Sequence, residues 1–526
     1  MNGTSLDSRT RCATFERLEA GVFDLAVIGG GITGAGIARD AAMRGLSVAL
    51  VEARDYASGT SSRSSKMIHG GLRYLAQGDV ALVKEAASER QILRRIAPHL
   101  ARLTPFLIPT VSMAMAAKLR AGLWTFEKLG GVPEAERHKA IGLAELRRRE
   151  PLMRTDGLNG AILYPEFLTD DARLVLANIR AAQAAGAVVV NYAAATELTG
   201  DGLVARSTLE GEALGARVRA KLVVNAAGAW VDRVRALEAG ESDTRLSLSR
   251  GIHLVLPRAR VPVNATLILR APDKRSIFAV PRGAFTYIGT TDVFHHGSDY
   301  WPAPERSDID YLLRATEKAL DIAPIADGEI EALWSGVRPL IAQPGKKANE
   351  VSRKDEIWTS PGGLVSIAGG KLSAYRAMAE RVVDLVVERT GAAARACATA
   401  DVPLPGGEAA PDLAGMAPVA AERLTGLYGS EAQAIIVDGA GVAAEARRAV
   451  THEGAATLED YWVRRSARAW FDHGAGLDAL EPAAAAMGAL LGWSAQEQAD
   501  QVARCRALER DSRRLLEAAP GMEMQA

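Results

Sequence analysis

The chemistry-bearing residues begin at Gly29-x-Gly31-x-x-Gly34, which follows the short apolar run Leu25–Ile28 and opens a stretch with Ile37, Ala38, Ala41 and Ala42 at helical spacing. Glu52 closes the next apolar run, Leu46–Val51. Each glycine has a task in holding a dinucleotide: a tight turn, close approach of the backbone to a pyrophosphate, and close packing of helix on strand. The helix N-terminus faces the phosphates, and Glu52 accepts from a ribose hydroxyl. This spacing does not separate FAD from NAD.

Three more segments carry similar chemistry. GTSSRSSKMIHGGLRYL (Gly59–Leu75) is dense in hydroxyls, glycines and cations and offers Thr60, Ser61, Ser62, Ser65, Lys66, His69 and Gly70. VVNAAGAWVD (Val223–Asp232) is a buried-strand pattern running into Ala227 and Gly228; IAGGKLSAYR (Ile367–Arg376) is a strand that stops at Gly369-Gly370, with Leu372 just beyond. Glycine-lined strand ends so far apart in sequence are explained economically by one extended, two-part cofactor on which they converge.

The elements that must position these residues read as follows. Leu25–Val51 is a strand, helix, strand unit that begins a parallel sheet. Val80–Ile96 and Asp171–Ala185 are helices, Ala187–Asn191 is a strand, and hairpin-like strands lead to Gly228. Strand-length runs at His253–Leu256, Ala265–Leu269, Ile277–Val280 and Tyr287–Gly289 predict a second, mostly antiparallel sheet over 250–345. The Pro/Gly-rich VPLPGGEAAPD precedes an Ala-rich helical tail.

Composition bounds the function. At roughly 100–200 residues per domain, 526 residues predict three to five structural units. Lys+Arg and Asp+Glu both number 63, which argues against a broadly basic nucleic-acid-binding body, and 48% hydrophobic with 24% charged residues is globular rather than disordered. The three cysteines, Cys12, Cys397 and Cys505, stand far apart, so no disulfide scaffold and no metal site is expected. The N-terminal stretch lacks the apolar core of a signal peptide, and no run reaches the ~20 apolar residues of a spanning helix. The expected place is the cytoplasm, with any membrane contact peripheral and on the inner face.

Taken in order, GGGITGAGIARDAAMRGLSVALVE, TSSRSSKMIHGGLRYL, DDARLVLAN, NAAGAWVD, IGTTD, SGVRPL and GGKLSAYR resemble FAD-dependent, aerobic-type glycerol-3-phosphate dehydrogenase. The tail adds VPLPGG, TLEDYWVRRS and LGW, so the resemblance covers about residues 20 to 510. It implies an α/β fold: a Rossmann-like FAD-binding domain with a parallel sheet, an antiparallel-sheet substrate domain inserted in it, and a C-terminal all-helical domain. The expected partition is an N-terminal tail (1–21), an FAD domain (22–100, 160–250, 350–395), a substrate or cap domain (101–159, 251–349) and a helical domain (396–526). The reaction it implies is oxidation of sn-glycerol 3-phosphate to dihydroxyacetone phosphate, with FAD passing electrons to a quinone.

The family pattern also places Arg73, Tyr74, Arg338, Arg353 and Lys371 near the substrate. Arg338 and Arg353 are assigned mainly to its phosphate, Lys371 and Tyr74 to phosphate or the glycerol oxygens, and Arg73 to the same pocket. His253, in SRGIHLVLP, is the candidate general base, since an imidazole takes a proton near neutral pH; it stands with Lys371 and Arg338 as the expected catalytic set. His69 shapes the flavin loop. This chain departs from the family at Leu-Ser-Ala after Lys371, where Leu-Thr-Thr is common, so Ala374 lacks one hydroxyl. The basic, aromatic stretch AAKLRAGLWTFEKLGG (116–131) suits an anionic lipid surface. Alternatives kept open are a hydroxy-acid or amine oxidase on the same fold and, remotely, a flavin-dependent RNA-modifying protein, for which the tail offers the Arg464, Arg465, Arg468 cluster but sets many acids beside it. The terminal acceptor, quinone or oxygen, and the oligomeric state, a homodimer included, stay open too.

Overall fold

Apolar runs bounded by glycines become the inner strands of the first of two sheets. The computed structural model describes residues 5–69, 80–238, 244–343, 345, 354–408, 413 and 416–517. Among them the strands are β1 Val22–Ile28, β2 Val48–Val51, β3 Met67–Ile68, β4 Arg102–Thr110, β5 Lys139–Ile141, β6 Gly160–Leu168, β7 Val188–Val190, β8 Ala193–Thr199 and β9 Gly202–Ser207. They continue as β10 Gly215–Asn225, β11 Leu246–Pro257, β12 Thr266–Arg270, β13 Ser276–Arg282, β14 Phe285–Gly289, β15 Val293–Phe294, β16 Ala332–Ile341, β17 Glu356–Thr359 and β18 Val365–Ala368.

The first sheet runs β17-β18-β10-β1-β2-β7, with the β8–β9 hairpin attached to β10. β18, β10, β1, β2 and β7 are parallel, and Ile28 registers with both Val51 and Asn225. The glycine turns that follow β1, β10 and β18 therefore leave the sheet at one edge, as the expected convergence requires. Helices Ile32–Met43, Asp171–Ala184 and Tyr375–Thr390 cover one face, where Ile37, Val175 and Val382 are wholly buried with Val27 and Leu50. Phe15 and Leu18 of helix Arg11–Ala20 close the other face with Leu203. Coverage on both sides explains strands as continuously apolar as Val48–Val51. It also corrects the reading of residues 1–21 as a tail. Residues 5–20 are folded, with Leu6 buried and bonded through its carbonyl to Gly454 N–H.

The second sheet has ten strands in the order β15-β11-β14-β13-β12-β4-β6-β3, with β16 on β11 and β5 on β6. It is antiparallel except for β12 beside β4. β6, expected with the FAD domain, instead pairs along its whole length with β4, so this sheet draws on 160–168 as well. Helix Arg306–Ala319 packs Ile309 and Leu312 on one face. The other face meets the C-terminal helices through Trp334, Tyr287, Trp470 and Phe471.

The C-terminal helices are also tied to the first sheet's helices by buried charge. Arg173 pairs with Glu453 (2.6 Å), Arg180 with Glu431 (2.6 Å), and Arg464 with Asp55 (2.5 Å), which Arg465 also contacts. Arg464 and Arg465 are buried. The basic cluster read as a remote RNA contact is thus a staple inside the protein.

Candidate active site

Gly34 shows why the first motif needs glycine: a Cβ there would lie 1.9 Å from the carbonyl oxygen of Gly29. Gly31 at the N-cap of helix Ile32–Met43 brings no side chain to the helix start, so an anion can come close to its positive end. Glu52, at the end of β2, accepts from Gly30 N–H (2.6 Å) and Arg54 N–H (2.8 Å). Burial pushes its carboxyl above the ordinary value against those two bonds. Gly369 and Gly370 (both φ +79°) turn the chain after β18, where a Cβ would meet the Lys354 carbonyl oxygen at Gly369 and the Met378 side chain at Gly370. Ala227 and Gly228 leave β10 at the same edge. A bare turn, a helix start whose N-cap residue has no side chain and a carboxylate one strand over fit a dinucleotide such as FAD.

The segment 59–69 bridges the two sheets. Ser61 Oγ accepts from Ile32 N–H (3.1 Å), while Thr60 Oγ1 donates to Val337 O on β16 (2.5 Å). Ser62 is buried, its hydroxyl turned to Gly59 O (3.5 Å). Arg63 lies against the rings of Tyr300 (4.7 Å) and Trp301 (4.2 Å). Lys66, expected at the cofactor, is only 2% exposed, and its ammonium donates to Asp171 (2.6 Å) and Ser62 O (2.9 Å). It is spent holding the loop, and Ser64 bonds the other Asp171 oxygen (2.7 Å).

Ser65 points the other way, its hydroxyl 2.9 Å from His253 Nε2. His253 lies on β11 opposite Trp334 of β16, and the rings stack at 4.7 Å and 13°. Further along, Gly251 faces Gly336 and Ser249 faces Arg338. Alternation puts all six residues on one face of the sheet. The glycine pair lets other groups close onto that face: a Cβ on Gly251 would lie 2.3 Å from the Arg338 guanidinium, and one on Gly336 2.8 Å from the Arg63 carbonyl oxygen.

Among the described residues, Arg338 donates to Thr290 Oγ1 (2.8 Å), Asp292 Oδ1 (3.1 Å) and Thr291 O (3.2 Å). Asp292 is itself held by Ser249 Oγ (2.8 Å). Burial lowers the His253 pKa well below the usual histidine range, and the charges of Arg338 and Lys66 push the same way. The imidazole is neutral at pH 7 and has a lone pair to offer.

Of the expected site residues, the structure gathers the Gly29–Gly34 turn, Glu52, Thr60–Lys66, His253 and Arg338 along one seam between the sheets. Lys371 and Leu372 start the turn into helix Tyr375–Thr390. His69 is half-buried at the end of the segment. Gly70, Arg73, Tyr74 and Arg353 lie outside the described residues. Sequence reasoning missed Asp171, Asp292 and Trp334. The first two stand in DDARLVLAN and IGTTD, whose acids were legible but whose partners come from distant strands.

Known proteins resemble the chain over both of its parts. Residues 24–376 match the FAD dependent oxidoreductase family, and 397–498 match the C-terminal domain of alpha-glycerophosphate oxidase. The aerobic glycerol-3-phosphate dehydrogenase of Bacillus subtilis (strain 168) is 38% identical over 487 residues, 86% of this chain and 88% of that protein. That of Staphylococcus aureus (strain USA300) is 42% identical over 376 residues, 70% of this chain and 67% of that one. The glycerol-3-phosphate dehydrogenase of Bacillus halodurans, solved in complex with FAD, superposes with a TM-score of 0.81 at 30% identity, covering 99% of this chain and 100% of that chain. Matched in both parts and nearly end to end, the chain belongs to the FAD-dependent, aerobic-type glycerol-3-phosphate dehydrogenases.

Proposed function

We propose that this protein oxidises sn-glycerol 3-phosphate at C2 to dihydroxyacetone phosphate. One observation carries the reading: a buried imidazole and an aimed guanidinium share a sheet face, and the segment 59–69 joins that face to the glycine-turn edge of the first sheet. Bound FAD supplies the two-electron acceptor for the C2 hydride. Its pyrophosphate would rest on the start of helix Ile32–Met43 near Ser61, and its ribose on Glu52. The protein's own residues do the rest. His253 takes the C2 hydroxyl proton as the carbonyl forms. Arg338 binds the phosphate in a bidentate fork, which orients C2. Lys371 joins it there, and the family pattern adds Arg73, Tyr74 and Arg353.

Anaerobic addition of glycerol 3-phosphate should bleach the flavin bands of the purified holoenzyme. Bleaching by a hydroxy acid or an amine instead would overturn the substrate assignment. Arg338→Ala should raise the half-saturating substrate concentration by about a hundredfold, the loss of a charged, paired contact. Flavin content should stay unchanged; loss of flavin would show that Arg338 serves the cofactor.

The electron acceptor belongs to this reading as a quinone met at an anionic membrane surface. Helix Met113–Leu129 buries Leu123 and Phe126, but Trp124 is 57% exposed beside exposed Lys118, Arg120 and Lys128. An aromatic among cations suits the headgroup layer. No helix of the described residues is long and apolar enough to cross a membrane. Flotation with anionic liposomes should carry the wild type, and Trp124→Ser with Lys118→Glu should lower the bound fraction several-fold. Absence of binding by either form would remove the membrane contact.

A further inference from the structure

We infer that Ser65 is a positioning residue that selects the tautomer of His253, leaving Nδ1, and not Nε2, as the basic ring nitrogen. The inference rests on His253 being the base of the proposed reaction and adds the atom and the residue that chooses it.

The ring has one orientation. Trp334 stacks on it at 4.7 Å, and a Cβ on Gly289, across the sheet on β14, would lie 2.0 Å from Cδ2 and 2.6 Å from Nε2. The Cδ2–Nε2 edge is therefore the one packed on β14, where Ser65 Oγ meets Nε2 at 2.9 Å. Nδ1 is buried and has no hydrogen-bond partner among the described residues.

A neutral imidazole has one N–H and one lone pair to distribute. With the proton on Nδ1, a buried donor would go unsatisfied, the costlier and rarer defect. With the proton on Nε2, the N–H donates to Ser65 Oγ and only a lone pair is left unpaired. A substrate hydroxyl is the partner that lone pair lacks. When the C2 hydroxyl proton moves to Nδ1, the Nε2–H···Oγ bond persists, so the ring gains charge without breaking a contact. The charged groups facing the ring, Arg338 and Lys66, oppose that charge, and Tyr287 stands 6.2 Å away. They favour quick return of the proton.

Ser65 is itself held in place. Its carbonyl accepts from Tyr287 Oη (3.0 Å), the carbonyl of Ser64 accepts from Trp334 Nε1 (3.2 Å), and Lys66 is anchored on Asp171. The hydroxyl that reads the tautomer thus shares its support with the ring it reads.

Nitrogen NMR of holoenzyme labelled with 15N-histidine tests this. His253 is assigned by the signals lost in His253→Gln. The expected result is a protonated Nε2 and an unprotonated Nδ1 in the wild type. Ser65→Ala should give a mixed or inverted tautomer, with kcat lowered about tenfold, a fraction of a general base's usual contribution. Flavin content and half-saturating substrate should change less than about twofold, and Ser65→Thr should restore both tautomer and kcat. A protonated Nδ1 in the wild type, or a Ser65→Ala variant unchanged in tautomer and turnover, overturns the inference. Full turnover by His253→Gln would instead remove the base reading beneath it, while the tautomer of the wild type still reports on Ser65.

Discussion

Single side chains in this site work through their neighbours. Arg338 gives three hydrogen bonds to Thr290, Thr291 and Asp292, so its charge is oriented before any anion arrives. Asp292→Asn keeps the shape and removes the charge-assisted bond. The half-saturating substrate concentration should then move by about three- to tenfold, about 1 kcal/mol of binding, with flavin content constant. Steady-state kinetics at several phosphate-buffer concentrations checks this, because inorganic phosphate should inhibit the variant and the wild type to different degrees. Lys66 and Asp171 are both wholly buried. Lys66→Met would strand the carboxylate, at a cost of about 3–5 kcal/mol in urea unfolding, whereas the same change at exposed Lys118 should leave the midpoint unmoved. His253 was legible as a candidate from its residue type and its place in SRGIHLVLP. Its stacking on Trp334 and its contact with Ser65 were not, since those partners lie in other segments of the chain.

The elements follow from local pattern to different degrees. Apolar runs stopped by glycine become β1, β10 and β18, and the parallel register brings their ends together because each strand is covered on both faces. Gly34→Ala is therefore expected to disrupt the turn itself. The purified variant should lose most of its flavin absorbance, and a variant that retains full absorbance would show that the turn can shift to take the methyl. β6 was assigned to the wrong sheet for a physical reason: its residues Gly160–Leu168 suit either sheet, and only the nine paired positions along β4 decide between them. Helix Arg11–Ala20 was read as tail because polar residues outnumber its buried Phe15 and Leu18. Two large side chains on one stripe are enough to dock a short helix once a sheet face is there to receive them.

At the scale of the whole molecule, the C-terminal helices buttress the site. Trp470 packs on Trp334 (5.8 Å) and Phe471 on Tyr287 (5.8 Å), so the aromatic wall behind His253 belongs partly to the tail. The junction with the first domain is sensitive to acid. Burial would raise the Glu431 carboxyl, but the bond and charge of Arg180 and the charge of Arg448 outweigh it and bring the pKa down to about 2. His99 is lowered from 6.5 to about 4, first by burial and then by Arg173. In both cases the unfolded chain binds the proton at higher pH than the folded one. Stability is lost as pH falls, through 6.5 to about 4 for His99 and through 4.5 to about 2 for Glu431. Each window is worth up to about 3 kcal/mol. Thermal melts from pH 7.5 to 4 should show a falling midpoint, and His99→Gln should flatten the upper part of that slope. A wild-type midpoint independent of pH would contradict the assigned burial.

Residue order alone determined the dinucleotide turn, the parallel strands that carry it and the second antiparallel sheet, because these depend on spacing and polarity within short windows; the family was legible only through the resemblance of its motifs. The balance of 63 cations and 63 acids described only the whole chain. The tertiary structure decided which of those charges are consumed in buried pairs and which stand on the sheet face proposed for the phosphate. Arg338 stands on that face with Asp292 beside it, whereas Lys66, Arg173, Arg464 and Arg465 are consumed in buried pairs. A charge's role is set by the nearest opposite charge and by how much water remains around it, and both are supplied by segments hundreds of residues away.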